Sequence, residues 1–231
     1  MKYALLIIFL FLTIVSNIFA QQDSSKGVDR EITFSGGLSY SSLPSEFREI
    51  WTGGIVSPKL SWNAGIGYGY SFAPGSVGYG AVSLTLDYNR YTFNPSGYRE
   101  YLFAKYVDSD PKQAQEVYTA SIAARGSAKI ITASVNFKGS FSSTKQTVAP
   151  YFLIGLGFSY FSSDSVSLVG AKHVFTVEPA HQSAFTWSAG IGVEAPISEC
   201  LGIFVQAKSA LLVRDPPRQY FPISAGIKVR I

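Results

Sequence analysis

His181, Ser183 and Glu194 are the residues of this chain whose types suit nucleophilic chemistry: a hydroxyl, an imidazole to take its proton, and a carboxylate to orient the imidazole. Their spacing decides against it. From Ser183 to Glu194 the residues alternate without a break, as in an extended strand. At about 3.3 Å per residue the acid then lies roughly 36 Å from the serine, far beyond hydrogen-bond reach. The other histidine, His173, falls in a connecting segment and reads as solvated. Cys200 is the single cysteine, so neither an intramolecular disulfide nor a cysteine-based metal site can form. The glycines of GIGYGY at Gly65 to Tyr70 sit inside an alternating strand, whereas a phosphate-cradling loop joins a strand to a helix. No catalytic, cofactor-binding or metal-binding set is assigned, and no enzyme is expected.

Charged residues on otherwise small, polar strand faces are the more informative set: Glu31, Lys138, Glu194, Lys208, Lys228 and Arg230. Charges confined in a narrow interior need partners or water. The expectation is an ion-pair network, with Glu194 joined to a lysine or arginine across the interior and Glu31 joined to Arg230.

The elements that position these charges are strands. Ile32 to Tyr40, Leu60 to Phe72, Val82 to Asn89, Ile131 to Lys138, Phe152 to Tyr160, Phe185 to Glu194, Ile203 to Leu211 and Phe221 to Ile231 all alternate with period two. In each, one face is apolar and aromatic while the other is mostly Gly, Ser, Thr or Asn. The hydrophobic fraction is 47% and the charged fraction 15%, against roughly 25% charged in soluble domains. With aromatics at both ends of the apolar faces, this predicts a closed antiparallel up-and-down transmembrane β-barrel of eight strands rather than a soluble sandwich. Connectors alternate as well. Those at Ala73 to Val77, Ser142 to Thr147 and Pro196 to Cys200 are short, whereas Ser41 to Ser57, Thr92 to Gly126, Ser162 to Ser183 and Leu212 to Gln219 are mostly longer.

Residues 1–20 have the charged start, apolar core and small final residue of a secretory signal. Residues 21–30 are expected as a short periplasmic segment and 31–231 as the barrel. The net charge of +4 is too mild to argue for nucleic acid. In the second long connector, Asp110 as N-cap, Pro111 in the first turn and Gln113 predict a short helix. Its apolar stripe would hold Ala114, Val117, Tyr118, Ser121 and Ile122.

PYFLIGLGFSY at Pro150 to Tyr160, WSAGIGVEAPI at Trp187 to Ile197 and the ending YFPISAGIKVRI resemble the small OmpA/OmpX-type barrels of the outer-membrane β-barrel family. Ile231 departs from the aromatic last residue common in that family. The resemblance implies a Gram-negative outer membrane, lipid contacts that include lipopolysaccharide, and help from the barrel-insertion machinery. His181 and Ser183 are similar to the histidine and serine of outer-membrane lipid A deacylases, but the distant Glu194 is not similar to their acid. The leading expectation is a non-enzymatic envelope protein presenting surface loops. The alternatives are a narrow conduit for small apolar solutes and a component of an export or assembly complex.

Overall fold

The computed structural model describes residues 28–42, 61–72, 80–93, 95–124, 126–140, 148–213 and 218–231. In chain order the elements are β1 (Val28–Ser42), β2 (Ser61–Phe72), β3 (Gly80–Thr92), α1 (Pro95–Tyr106), α2 (Pro111–Thr119), β4 (Ser121–Ala124) and β5 (Ser127–Ser140). They continue with β6 (Ala149–Ser163), β7 (Val166–Val169), β8 (Val174–Val177), β9 (Ala180–Pro196), β10 (Leu201–Val213) and β11 (Arg218–Arg230). Eight of the strands close an antiparallel barrel in the order β1-β11-β10-β9-β6-β5-β3-β2, and β4, β7 and β8 form a separate small sheet. Closure is made by β1, which pairs with β2 on one side and β11 on the other.

All eight barrel strands coincide with the alternating segments. β1 begins at Val28 and so takes in three residues expected in the preceding segment. Strands β10 and β11 likewise run into the connector expected at Leu212 to Gln219. The turn at residues 197–200 is short, with the Ile197 and Ser198 amides both donating to the Leu201 carbonyl. The signal at 1–20 and the connectors expected at 41–57, 73–77 and 142–147 lie wholly or mostly outside the described residues.

Alternation sorts the side chains. Phe34, Ile66, Leu86, Ile154, Phe158, Trp187 and Ile191 stand outward, exposed, on a continuous apolar belt. Aromatic pairs border it, with Trp62 against Tyr88 at 5.2 Å and Tyr68 against Tyr70 at 5.6 Å between ring centroids. The inward positions are crowded enough to require glycine. A Cβ on Gly65 would stand 2.5 Å from Asp87 Oδ1 and 2.8 Å from Ser35 Oγ, and one on Gly192 would strike the Tyr151 ring. Glycine therefore makes room in the lumen for the larger groups opposite it.

The expected helix is present as α2. Asp110 caps it by accepting from the Gln113 amide at 3.0 Å, and Pro111 opens its first turn. Val117 is buried, while Tyr118 is exposed and meets Phe103 edge to face at 4.9 Å. One part of the expectation is corrected: Ser121 and Ile122 are not on the helix. Ala120 is extended, and Ser121 and Ile122 pair in β4 with Val169 and Leu168 of β7. The strand partner satisfies backbone groups that a longer helix would have used, and it turns Ile122 onto the buried side of the small sheet.

Overfilling the lumen should show at the first of these glycines. Gly65→Val is expected to destabilise the barrel by about 1–3 kcal/mol through displacement of Asp87 and Ser35, measured as a lower urea midpoint of tryptophan fluorescence in liposomes.

Candidate functional site: a sealed lumen and a folded cap

The lumen is layered. At the end carrying Val28 and Ile231, called here the turn end, four charged side chains converge. Lys228 Nζ lies 2.7 Å from Glu194 Oε2, and Lys138 Nζ lies 3.0 Å from the same oxygen. Glu31 stands further off, 3.6 Å from Lys228 and 3.8 Å from Lys138. Two lysines thus share two glutamates but hydrogen-bond to one. Glu31, Glu194 and Lys228 are all buried.

Arg230 lies outside that cluster. It is the register partner of Glu31, yet its guanidinium donates to the Glu199 carbonyl at 3.2 Å, at the exposed rim of the neighbouring turn. Lys208 sits higher in the lumen and pairs at 3.2 Å with Asp87. These two belong to β10 and β3, which face each other across the barrel, so the pair ties opposite walls together. Asp87 was left out of the expected network because its neighbours on the inward face, Thr85 and Asn89, carry no charge. Only the closed topology brings Lys208 to it.

Between the two charge layers a cavity of about 60 Å³ is lined by Glu31, Tyr151, Phe204, Gln206 and neighbours. That is room for about two waters at the liquid's share of volume. Above Lys208 come hydroxyls linked wall to wall. Thr132 meets Ser159 at 2.6 Å and the Tyr220 hydroxyl at 2.8 Å, and Ser39 meets the Tyr91 hydroxyl at 2.8 Å.

Toward the opposite, loop end the inward face changes character. Tyr91, Ala128, Ile130, Phe161, Ala210 and Leu212 are almost wholly buried in one apolar cluster. The cluster continues into Tyr98 and Leu102 of α1, Val117 of α2, Val166 and Leu168 of β7, and Phe175 of β8. Helices, small sheet and lumen wall share a single core, so the loop end is stoppered by a folded cap. The sequence reading missed α1 and the small sheet. The signal for α1 was present in Pro95 at its start and in Tyr98, Tyr101 and Leu102 spaced for one helical face.

Glu116 of α2 holds the cap together from outside. It accepts from the Lys172 and His173 amides and, at 2.8 Å, pairs with the His173 ring, so the tip of the β7–β8 hairpin is pinned to the helix. The Lys172 amide, then the His173 ring, hold its carboxyl down to about 2. Behind the pinned tip, a cleft of about 600 Å³ is lined by Tyr98, Tyr101, Tyr106, Lys105, Lys172 and Phe175.

The residues considered for nucleophilic chemistry are not brought together. Tyr160 and Ser162 hydroxyls meet His181 Nδ1 at 3.1 and 3.2 Å on the exposed outer face, whereas Glu194 is buried at the far end of the same strand. Among the described residues no group of three His, Cys, Asp or Glu side chains is placed to hold a metal ion. Cys200 is exposed.

No family model and no curated protein matches the chain. Solved structures do. A major outer membrane protein from Thermus thermophilus is similar at a TM-score of 0.51 and 9% identity, over 89% of this chain and 100% of that one. Neisserial surface protein A has a TM-score of 0.48 and 14% identity, over 89% and 100%. Ail from Yersinia pestis, in complex with the heparin analogue sucrose octasulfate, has a TM-score of 0.42 and 12% identity, over 90% and 100%.

The charge cluster and the pinned cap each have a measurable consequence. Glu194→Gln removes the carboxylate to which both Lys138 and Lys228 donate and is expected to cost about 3–5 kcal/mol, read as a lower midpoint of heat-modifiability on a gel. Glu31→Gln should cost less. Glu116 titrates at 4.5 in an open cap and at about 2 in the pinned one. Its contribution is therefore complete above pH 4.5 and is lost as pH falls toward 2. Protection of the Lys172 and His173 amides, taken relative to their intrinsic exchange rates, should fall across that window, and Glu116→Gln should abolish the pH dependence of that protection.

Proposed function

We propose that this chain is a non-enzymatic integral barrel of a Gram-negative outer membrane, exported by its first 20 residues, that holds a folded cap at the cell surface for contact with partners. The observation that carries the reading is the continuous apolar core shared by lumen wall and cap. A passage for solutes would leave that space open. Here Ile130, Phe161 and Leu212 fill it. The apolar outer belt fits a hydrocarbon environment, since exposed Leu86, Ile154 and Ile191 have no water-compatible role in such number. Strands such as β6 and β9 exceed the roughly 9–11 residues that a tilted strand needs to cross a bilayer.

The cap carries the interaction chemistry. Its cleft combines tyrosine faces with the ammonium groups of Lys105 and Lys172, and its walls are fixed by the buried Tyr98, Leu102 and Phe175. Such pre-organised aromatic and cationic surfaces are what binding sites on rigid scaffolds present. Lipid, lipopolysaccharide among it, surrounds the belt, and the barrel-insertion machinery is the partner during biogenesis.

Fractionation and planar-bilayer recording test the reading together. The mature protein should partition with outer membranes, migrate anomalously on a gel until boiled, and give no stepwise conductance. Stepwise conductance, or uptake of an apolar solute lost on deletion of residues 95–124, would replace the surface role by the conduit. Recovery in the soluble fraction would remove the barrel's membrane setting altogether.

A further inference from the structure

We infer that the free edge of β8 takes up an extended acidic peptide segment of a partner protein as a fourth strand of the cap sheet, alternate side chains entering the cleft beside α1. The inference deepens the surface role proposed above and rests on it. In the small sheet β7 is central, and β4 and β8 are its two edges. At the closing pair of the β7–β8 hairpin the Gly170 amide donates to the His173 carbonyl. Antiparallel pairs alternate between bonded and non-bonded, and the register runs on from there without a shift. Phe175 and Val177 therefore bond to β7, while Val174 and Thr176 turn their N–H and C=O groups away from it. Among the described residues no strand pairs with that side and no other backbone group bonds there. The two edges are built differently. β4 breaks register between Ile122 and Ala124, an irregularity of the kind that blunts an edge. β8 reads VFTV, with no proline, no charge and no bulge, and Val174 on its outer face is 64% exposed. Such an edge is a template for strand addition.

A strand of 4 residues offers few hydrogen bonds, so selectivity must come from side chains. The cleft supplies it. It lies between β8 and the α1 face that carries Tyr98, Tyr101 and Lys105, with Lys172 at the hairpin tip, and its volume of about 600 Å³ is that of a ligand site. A strand beside β8 would send every second side chain toward those tyrosines. Charge then fixes the kind of peptide. Among the described residues no carboxylate lines the cleft. Lys105 holds its ammonium group over the Tyr106 ring, 5.5 Å from the centroid, instead of against an acid. Of the acids nearest in sequence, Glu100 falls on the opposite face of α1, Asp108 lies past its end and Glu178 past the end of β8. Glu116 is taken up by the hairpin tip itself. The two lysines are thus left to an incoming chain, and acidic side chains at that end of the peptide, with apolar or aromatic ones over the tyrosines, complete the match.

A displayed library of short peptides tests this, with threonine fixed at alternate positions and the positions between randomised, selected against the full mature chain in detergent micelles. Aspartate or glutamate should be enriched at one end and apolar or aromatic residues at the other. Affinity of the selected peptide is then read by fluorescence anisotropy. Thr176→Pro keeps the bonds to β7, because the amide it removes faces the open edge, and should weaken binding roughly tenfold. Methylating alternate backbone amides of the peptide, in one of the two registers, should do the same. Lys105→Gln with Lys172→Gln removes two exposed ion pairs and should also weaken binding roughly tenfold. Arg90→Gln, on the barrel wall, should leave it unchanged. No enrichment, or binding indifferent to both Thr176→Pro and amide methylation, would overturn strand addition. Enrichment of neutral or basic peptides would overturn the acidic partner. A sulfated polysaccharide bound at the cleft, with no peptide enriched, would replace the peptide by a glycan. Heat-modifiability is measured on the same samples: loss of the folded form in the unaltered protein would strike the membrane barrel itself, whereas a folded barrel without peptide enrichment strikes only the docking edge.

Discussion

Closure of the sheet is the constraint on which everything else depends. In hydrocarbon, an unpaired strand edge would leave a row of amides and carbonyls without partners, so a spanning sheet must return upon itself. β1 meets this requirement by pairing along both of its sides. Closing with only eight strands makes the lumen narrow, and narrowness then dictates which residues can point inward. Gly65 and Gly192 are consequences of that arithmetic, as are the serines and threonines that bond wall to wall.

A narrow lumen cannot dilute charge. Glu31, Glu194 and Lys228 are buried where neither bulk water nor salt screens them, so each must find an opposite charge. The structure answers with a shared arrangement in which Glu194 takes both short contacts and Glu31 remains at ion-pair distance only. Lys208 and Asp87 solve the same problem by reaching across the full lumen. Both solutions also fix the spacing of strands that are not neighbours in the sheet, which the backbone ladders leave unspecified.

The eight barrel strands were legible because period two is written in every one of them, with an apolar, aromatic face set against a small, polar one. The start of α2 was legible from Asp110, Pro111 and Gln113, all of them local. What was not legible depends on closure or on tertiary pairing. Arg230 seemed the natural partner for Glu31 because closure sets them side by side. Yet its guanidinium reaches the Glu199 carbonyl at the rim, while Lys138, three strands away in barrel order, supplies a charge to Glu31. The end of α2 was misplaced because Ile122 suits a helical stripe and a strand equally, and the distant Leu168 decides between them. A visible signal went unused at the loop end, where Tyr91, Ile130, Phe161, Leu212 and Tyr220 break the small, polar rule of the inward face.

That break explains why the cap has a fold at all. The helices and the three short strands are too small to bury a core by themselves, and the barrel's outer apolar face is turned toward lipid, where the cap cannot pack against it. The one place where apolar side chains can leave water is the outer mouth of the lumen. By turning inward positions apolar there, the barrel offers the cap the half of a core that it lacks, and Tyr98, Leu102, Val117 and Phe175 supply the other half. The two parts are therefore energetically one unit. The cap cannot order before the barrel closes, and a closed barrel without the cap would leave Ile130 and Leu212 facing water. An open passage and a folded cap compete for the same volume at the mouth, and in this chain Ile130, Phe161 and Leu212 fill it.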